Sequence, residues 1–353
     1  MVVIDCKNGV SLGNGYEDCD GVLHRTGPAG CDGAGDCQTD NDCGEGQACV
    51  CSPQLTPTCQ SAQCRSDADC AGDSLCVSGD VQCGQPFVHN LACVPKRAPA
   101  IDCSTVGRPF LVAGRARAAR LEKREDWSSI EQAPDLSGLS LPARAALAHY
   151  WHRAALMEHA SIAAFSRFVL DLMSLGAPPE LVEDATRAML DEAGHAKACF
   201  GLANAFAAAD FGPSPLSVAG SLDQRGLLEI VISAVREGCI GETVAAMEAA
   251  EALEHTSDVA VRRTLARIVE DELSHAGLAF RFVSWAVTRF GGDTGRIVLE
   301  TLDVELAASP AAEPAPALGV PSHGLLPPEQ RAELRRRVLA ELVAPTLPLL
   351  VAA

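Results

Sequence analysis

Positive charge is scarce in this sequence: 28 Lys and Arg face 46 Asp and Glu, for a net charge of −18. Binding a phosphate backbone needs a concentrated positive field, so nucleic acid is excluded as a partner. Long apolar runs are missing too. Nothing reaches the ~20 residues a helix needs to cross a bilayer, so no membrane span is expected. Cysteine almost disappears after Cys103, where only Cys199 and Cys239 remain; both read as buried, inert thiols. Tyrosine and tryptophan are rare, and Tyr150 and Trp151 read as core or rim packing.

The cysteines that are present are crowded together. All but two of the 16 lie between Cys6 and Cys103. With few apolar residues between them, residues 1–104 read as a small, irregular module stapled by disulfides rather than by a core. Two pieces repeat 27 residues apart: Cys37, Cys43, Cys49 and Cys64, Cys70, Cys76. Each follows Cys-x5-Cys-x5-Cys, and Asp40 and Asp42 are matched by Asp67 and Asp69. An internal repeat of this kind is one bridged unit used twice, and it resembles small cysteine-rich repeats of secreted proteins. Zinc is the rival reading for the thiols, although no Cys-x2-Cys pair stands at finger spacing. For the paired aspartates calcium competes with local bonding to turn backbone. Disulfides persist in oxidising compartments, which predicts an extracytoplasmic protein of the periplasm, cell envelope or medium. The opening Met-Val-Val-Ile-Asp-Cys has no basic stretch followed by an apolar one, so the expectation is a leader missing from this start.

Residues 105–139 form a basic connector with Arg108, Arg115, Arg117, Arg120, Lys123 and Arg124, expected to be a solvated linker ending in a short helix, with contact to the acidic bundle or an anionic surface as the alternative. Residues 140–307 show helical periodicity. Ser140-Leu141-Pro142 caps a first helix to about 174, Gly176-Ala177-Pro178-Pro179 turns, and a second helix runs to about 208. Residues 209–222 are far more than a tight hairpin needs. Fourteen extended residues cover roughly 45 Å, enough to cross over along a bundle. Two further helices follow at about 223–255 and 259–290, with another near 294–307. Residues 308–353 read as a Pro/Ala-rich linker and a C-terminal helix, ending in an apolar tail too short to anchor anything.

Two stretches carry the chemistry: Asp191-Glu192-Ala193-Gly194-His195 and Asp271-Glu272-Leu273-Ser274-His275. In a helix, residues three apart share a face, so each Glu points with its His. Glu158 precedes Glu192 by 34 residues and Glu242 precedes Glu272 by 30, so the two helical pairs are themselves a repeat. Glu158 and Glu242 sit on apolar stripes of their helices. Glu237 is the rival of Glu242, but in an α-helix it lies roughly 140° away. Facing carboxylates on apolar stripes repel unless a cation binds them, and carboxylate with imidazole suits iron or manganese. His149, His152 and His159 fall off the ligand row. The small residues Ala155, Ala188, Gly238 and Ala246 either leave space for a small molecule or allow close helix packing.

Helices supplying Glu, Glu-x-x-His, Glu and Glu-x-x-His resemble the ferritin-like di-iron carboxylate superfamily over about residues 142–290. The resemblance implies a mainly α chain: a ferritin-like four-helix bundle with one long crossover behind the disulfide-rich module. It implies two iron ions, with manganese admitted, held by Glu158, Glu192, His195, Glu242, Glu272 and His275. Glu192 and Glu272 would bridge. Asp191 and Asp271 would each accept the second ring proton of the histidine four residues on. The four-Glu, two-His set is more similar to the oxygen-activating branches than to rubrerythrins, since no rubredoxin-like cysteine pairs exist. The expected activity is oxidation with dioxygen or peroxide of an unidentified small molecule, with an unidentified electron donor; the assembly has room to be a homodimer. Iron handling as a ferroxidase is one alternative. A non-enzymatic secreted binding protein with a metal-stabilised bundle is another.

Overall fold

The computed structural model describes the side chains of residues 37–44, 47–49, 59, 62, 64–70, 76, 108–112, 116–307 and 319–352, and the backbone of further short strands before residue 118. The chain divides into two compact units, Met1–Cys103 and Ser104–Ala353. The opening residues expected to lack a leader, and most of the expected linker at 308–318, lie outside the described residues.

The first unit is not irregular throughout. Its short stretches between cysteines pair as antiparallel strands, Gln47–Ser52 with Leu55–Ser61 in one hairpin. Val10–Gly13, Tyr16–Cys19, Val22–Arg25, Ser74–Ser78 and Leu91–Pro95 form a five-stranded sheet in that order. Both Cys-x5-Cys-x5-Cys pieces close their first cysteine on their third, Cys37 on Cys49 and Cys64 on Cys76. Cys43 pairs with Cys59, and Cys70 is also disulfide-bonded. Inside each loop the aspartates bond backbone. Asp42 accepts from the amides of Gln38 and Thr39, and Asp69 from those of Arg65 and Ser66, at 2.7–2.9 Å. Asp40 and Asp67 accept from the amides of Cys49 and Cys76. The carboxylates are thus committed to holding turns, the local alternative to calcium. These amides hold Asp42 and Asp69 below the usual carboxylate range.

The second unit is mainly helical. Helix α1 (Leu141–Leu175) starts where the Ser140 hydroxyl accepts from the Ala143 amide and stops at Gly176, whose φ of +66° is left-handed and favours a residue without Cβ. Helix α2 (Pro179–Ala207) packs along α1. The next helical rod has three parts: α3 (Leu227–Ser233), a π-helical segment (Ala234–Glu242) and α4 (Thr243–His255). Uninterrupted α-helix was expected here; nine residues instead follow the wider i→i+5 pattern, rare and often found at functional sites. Helix α5 (Val259–Phe290), capped by Asp258, packs on this rod and on α2. Helix α6 (Gly292–Ala307) lies against α3 and α5.

Beyond the linker, α7 (Pro328–Val338) packs on α4, and a second π-helical stretch (Leu339–Val343) leads to α8 (Ala344–Ala352). The apolar tail is not idle: Val343 and Leu347 are fully buried in the same core as Phe168, Phe282 and Val298. Their four-residue spacing puts both on one face. No helix among the described residues is long and apolar enough to cross a membrane.

The connector also departs from the solvated linker expected of it. Phe110–Val112 pairs with Arg115–Arg117, and Phe110 is buried against Ala160 and Ala164 of α1. Leu121–Lys123 pairs with Phe211–Pro213 in the long connection after α2. Residues 108–112 therefore form a strap on α1, and 121–123 are tied to the connection after α2. Arg108, one of the six cationic residues of the connector, is only 2% exposed.

Candidate metal centre

The six predicted residues come from four helical segments and meet in the interior. Glu158 is on α1, Glu192 and His195 on α2, Glu242 closes the π-helical segment, and Glu272 and His275 are on α5. All six are buried. They form two overlapping tetrads, Glu158–Glu192–His195–Glu272 and Glu192–Glu242–Glu272–His275. Within each tetrad one ligand atom per residue lies within 4.8 Å of the rest. Glu192 and Glu272 belong to both, the placement expected of bridging residues.

The atoms facing inward have nothing to bond. Both carboxylate oxygens of Glu158, Glu192 and Glu272, Oε2 of Glu242, and Nδ1 of His195 and of His275 are buried without a hydrogen-bond partner. His275 Nδ1 comes to 3.3 Å from Glu192, and His195 Nδ1 to 3.6 Å from Glu272, without hydrogen-bond geometry. Buried polar groups are otherwise almost always satisfied, and nine orphaned donor atoms converging on one point fit a divalent cation. The outward ring atoms are satisfied. His195 Nε2 meets Asp271 at 2.9 Å and His275 Nε2 meets Asp191 at 3.4 Å. Each aspartate thus serves the histidine of the other motif, not the one four residues on in its own helix. Along one helix, Asp at i and His at i+4 point the same way, but the outer edge of each ring faces the neighbouring helix. Asp271 is further held by Arg267.

Without a cation the charges divide. Burial, and then the neighbouring Glu192, hold the Glu158 carboxyl well above its usual range. Burial and then Glu272 do the same to Glu242. His195 and His275 are raised despite burial, by their aspartates and by Glu192 and Glu272. Burial would raise Glu192 and Glu272 too, but the closeness of the two histidines outweighs it and lowers both.

Glu237 does not join the tetrads. It is buried nonetheless, because the i→i+5 pattern brings residues five apart close to one face and shrinks the angle expected for an α-helix. Arg108 was not predicted at the site: its Nε donates to Glu242 Oε1 at 3.2 Å. Nothing in the basic cluster singles it out beforehand. At Gly238 the packing reading of the small residues holds, since a Cβ there would run into Ala279 and Arg108. Among the non-ligand histidines, His152 bonds Asn204 at 3.0 Å and His159 sits edge-on to Trp127. Trp151 is buried, with Nε1 donating to the His323 carbonyl at 3.4 Å, and Tyr150 packs edge-on to it, both in packing roles. Cys199 and Cys239 are buried free thiols, each pushed up by burial.

Comparison with known proteins adds no relative: no family model, no curated protein and no solved structure matches the chain.

Proposed function

We propose that α1, α2, the α3–α4 rod and α5 form a ferritin-like four-helix bundle holding two divalent ions, iron or, in its place, manganese. The proposed activity is oxidation of a small molecule with dioxygen or peroxide. The convergence of orphaned carboxylate oxygens and imidazole nitrogens carries this reading. A set of hard oxygen donors with two imidazoles suits these metals rather than a thiolate-type site. When bound, the pair would pass electrons from the small molecule and an external donor to the oxidant. Glu192 and Glu272 would serve both ions, Glu158 with His195 would complete the holding of one, and Glu242 with His275 that of the other. Asp271 and Asp191 fix the ring orientation and keep Nδ1 pointing inward. To bind, Glu158 and both histidines would release protons, and the apolar surroundings, including Phe165 edge-on to His275 at 5.1 Å, keep bulk water away. The disulfides of the first unit are compatible with an extracytoplasmic location.

Metal content and the optical spectrum of the wild-type protein and of Glu192→Ala test the reading. About two ions per wild-type chain, and loss of binding in the variant, are expected. Wild-type protein that retains neither iron nor manganese after anaerobic and aerobic loading would sink it. Iron accumulating well beyond two per chain on adding Fe(II) and oxygen would favour iron handling instead.

A further inference from the structure

The internal repeat relates the two tetrads, but one contact makes them unequal. Glu158 has both carboxylate oxygens without a partner, whereas its counterpart Glu242 has only one, because Arg108 occupies the other. The arginine is built into place. Its guanidinium lies 4.3 Å from the ring centre of Phe165 and 5.0 Å from that of Phe168. A Cβ at Gly238 would come within 2.8 Å of its Nη2, so the glycine leaves the room it needs. The strap behind it is pinned to α1: Ser161 Oγ donates to the Arg108 carbonyl at 2.7 Å, and Arg167 donates to the Leu111 carbonyl. A guanidinium this deeply buried requires a counter-charge, and Glu242 provides one in a direct ion pair. No cationic side chain pairs with Glu158 among the described residues except His195, at 4.0 Å.

We infer that Arg108 is a resident cation at one half of the centre and imposes an order of loading. Glu158, Glu192, His195 and Glu272 take a divalent ion first. Glu192, Glu242, Glu272 and His275 take one only as Glu242 parts from Arg108. This rests on the two-metal reading above and deepens it. A fixed positive charge beside the second position opposes a divalent ion there and engages one of its donor oxygens. At the short distances and reduced dielectric of a protein interior, that separates the two dissociation constants by at least ~tenfold.

The test is an anaerobic Mn(II) titration of the full chain followed by electron paramagnetic resonance. A mononuclear signal should grow through the first equivalent, and an exchange-coupled signal only afterwards. Arg108→Met should bring the two affinities to within about threefold of each other, and Arg108→Lys should keep them apart. Two further variants locate the first ion without touching the arginine: His275→Ala should keep the tight binding event and His195→Ala should lose it. Equal wild-type affinities would overturn the inference and leave the two-metal reading standing. So would tight binding lost in His275→Ala but kept in His195→Ala, or a folded Arg108→Met protein with an unchanged step. Wild-type protein that binds no Mn(II) would instead overturn the two-metal reading itself.

Discussion

Replacing Glu158 by Gln keeps the shape of the side chain and removes its ability to ionise, and the effect on stability should change sign when metal is added. Burial and Glu192 hold this carboxyl well above its usual value of 4.5. A group raised in this way contributes stability below its unfolded value and loses it as pH rises through the folded one. At about pH 5 the metal-free protein already carries a neutral group, and Gln should change little. At alkaline pH the wild type must either bear a charge within 4.8 Å of the Glu192 carboxylate or keep a proton that the unfolded chain has already lost. Two such charges repel by ~3.5 kcal/mol at an effective dielectric constant of ~20. His195 offsets part of this, leaving a gain of about 2 kcal/mol for the variant. For a unit of this size that is about 4–8 °C in melting temperature. With saturating Mn(II) or Fe(II) the order should invert, because an amide oxygen is the weaker ligand; a tenfold loss of affinity costs about 1.4 kcal/mol. Differential scanning fluorimetry at both pH values, with and without metal, reads all four states. The reasoning is refuted if Gln destabilises the metal-free protein equally at both pH values, or if metal stabilises both proteins by the same amount.

Asp271→Asn should weaken metal binding about 10–100-fold by leaving the His195 ring unoriented, as outer-shell changes do. Asp191→Asn should cost less, because its contact is 3.4 Å rather than 2.9 Å; competition with a chromophoric chelator measures both. Metal uptake should strengthen with rising pH and release protons, since Glu158, His195 and His275 all hold a proton more tightly than the free groups do. Calorimetric enthalpies that do not depend on the ionisation heat of the buffer would contradict this. In the first unit, replacing Cys64 and Cys76 by Ser opens a loop of 12 residues and should cost about 3 kcal/mol. Faster limited proteolysis within residues 64–76 of the full chain checks it.

The main helices were legible in sequence because local signals mark their ends: the Ser140 cap, the positive-φ Gly176 and the Asp258 cap are short-range features. The meeting of the six site residues was legible for a related reason, since helical phase and a repeat carry each side chain to a known face. Three features were not legible, and each depends on contacts distant in sequence. The π-helical stretch widens a helix whose periodicity alone reads as α. The Asp–His contacts cross between helices, so spacing within one motif assigns the wrong partner. Arg108 lies in a polar, Arg-rich segment, and its burial is decided by Gly238, Phe165 and Glu242, far along the chain.

The crossed Asp–His pairs have the form of an isologous interface: a residue of the first hairpin meets one of the second, and the reciprocal pair repeats the contact. Such an interface is self-complementary, the arrangement by which two identical chains dimerise about a twofold axis. A single hairpin with one Asp-Glu-x-x-His and one upstream Glu already carries both halves of every contact it needs, provided it meets a copy of itself. Covalent fusion frees the copies to differ. Here the glutamate of the first copy is unencumbered, while that of the second faces an arginine that the strap brings in beside Gly238.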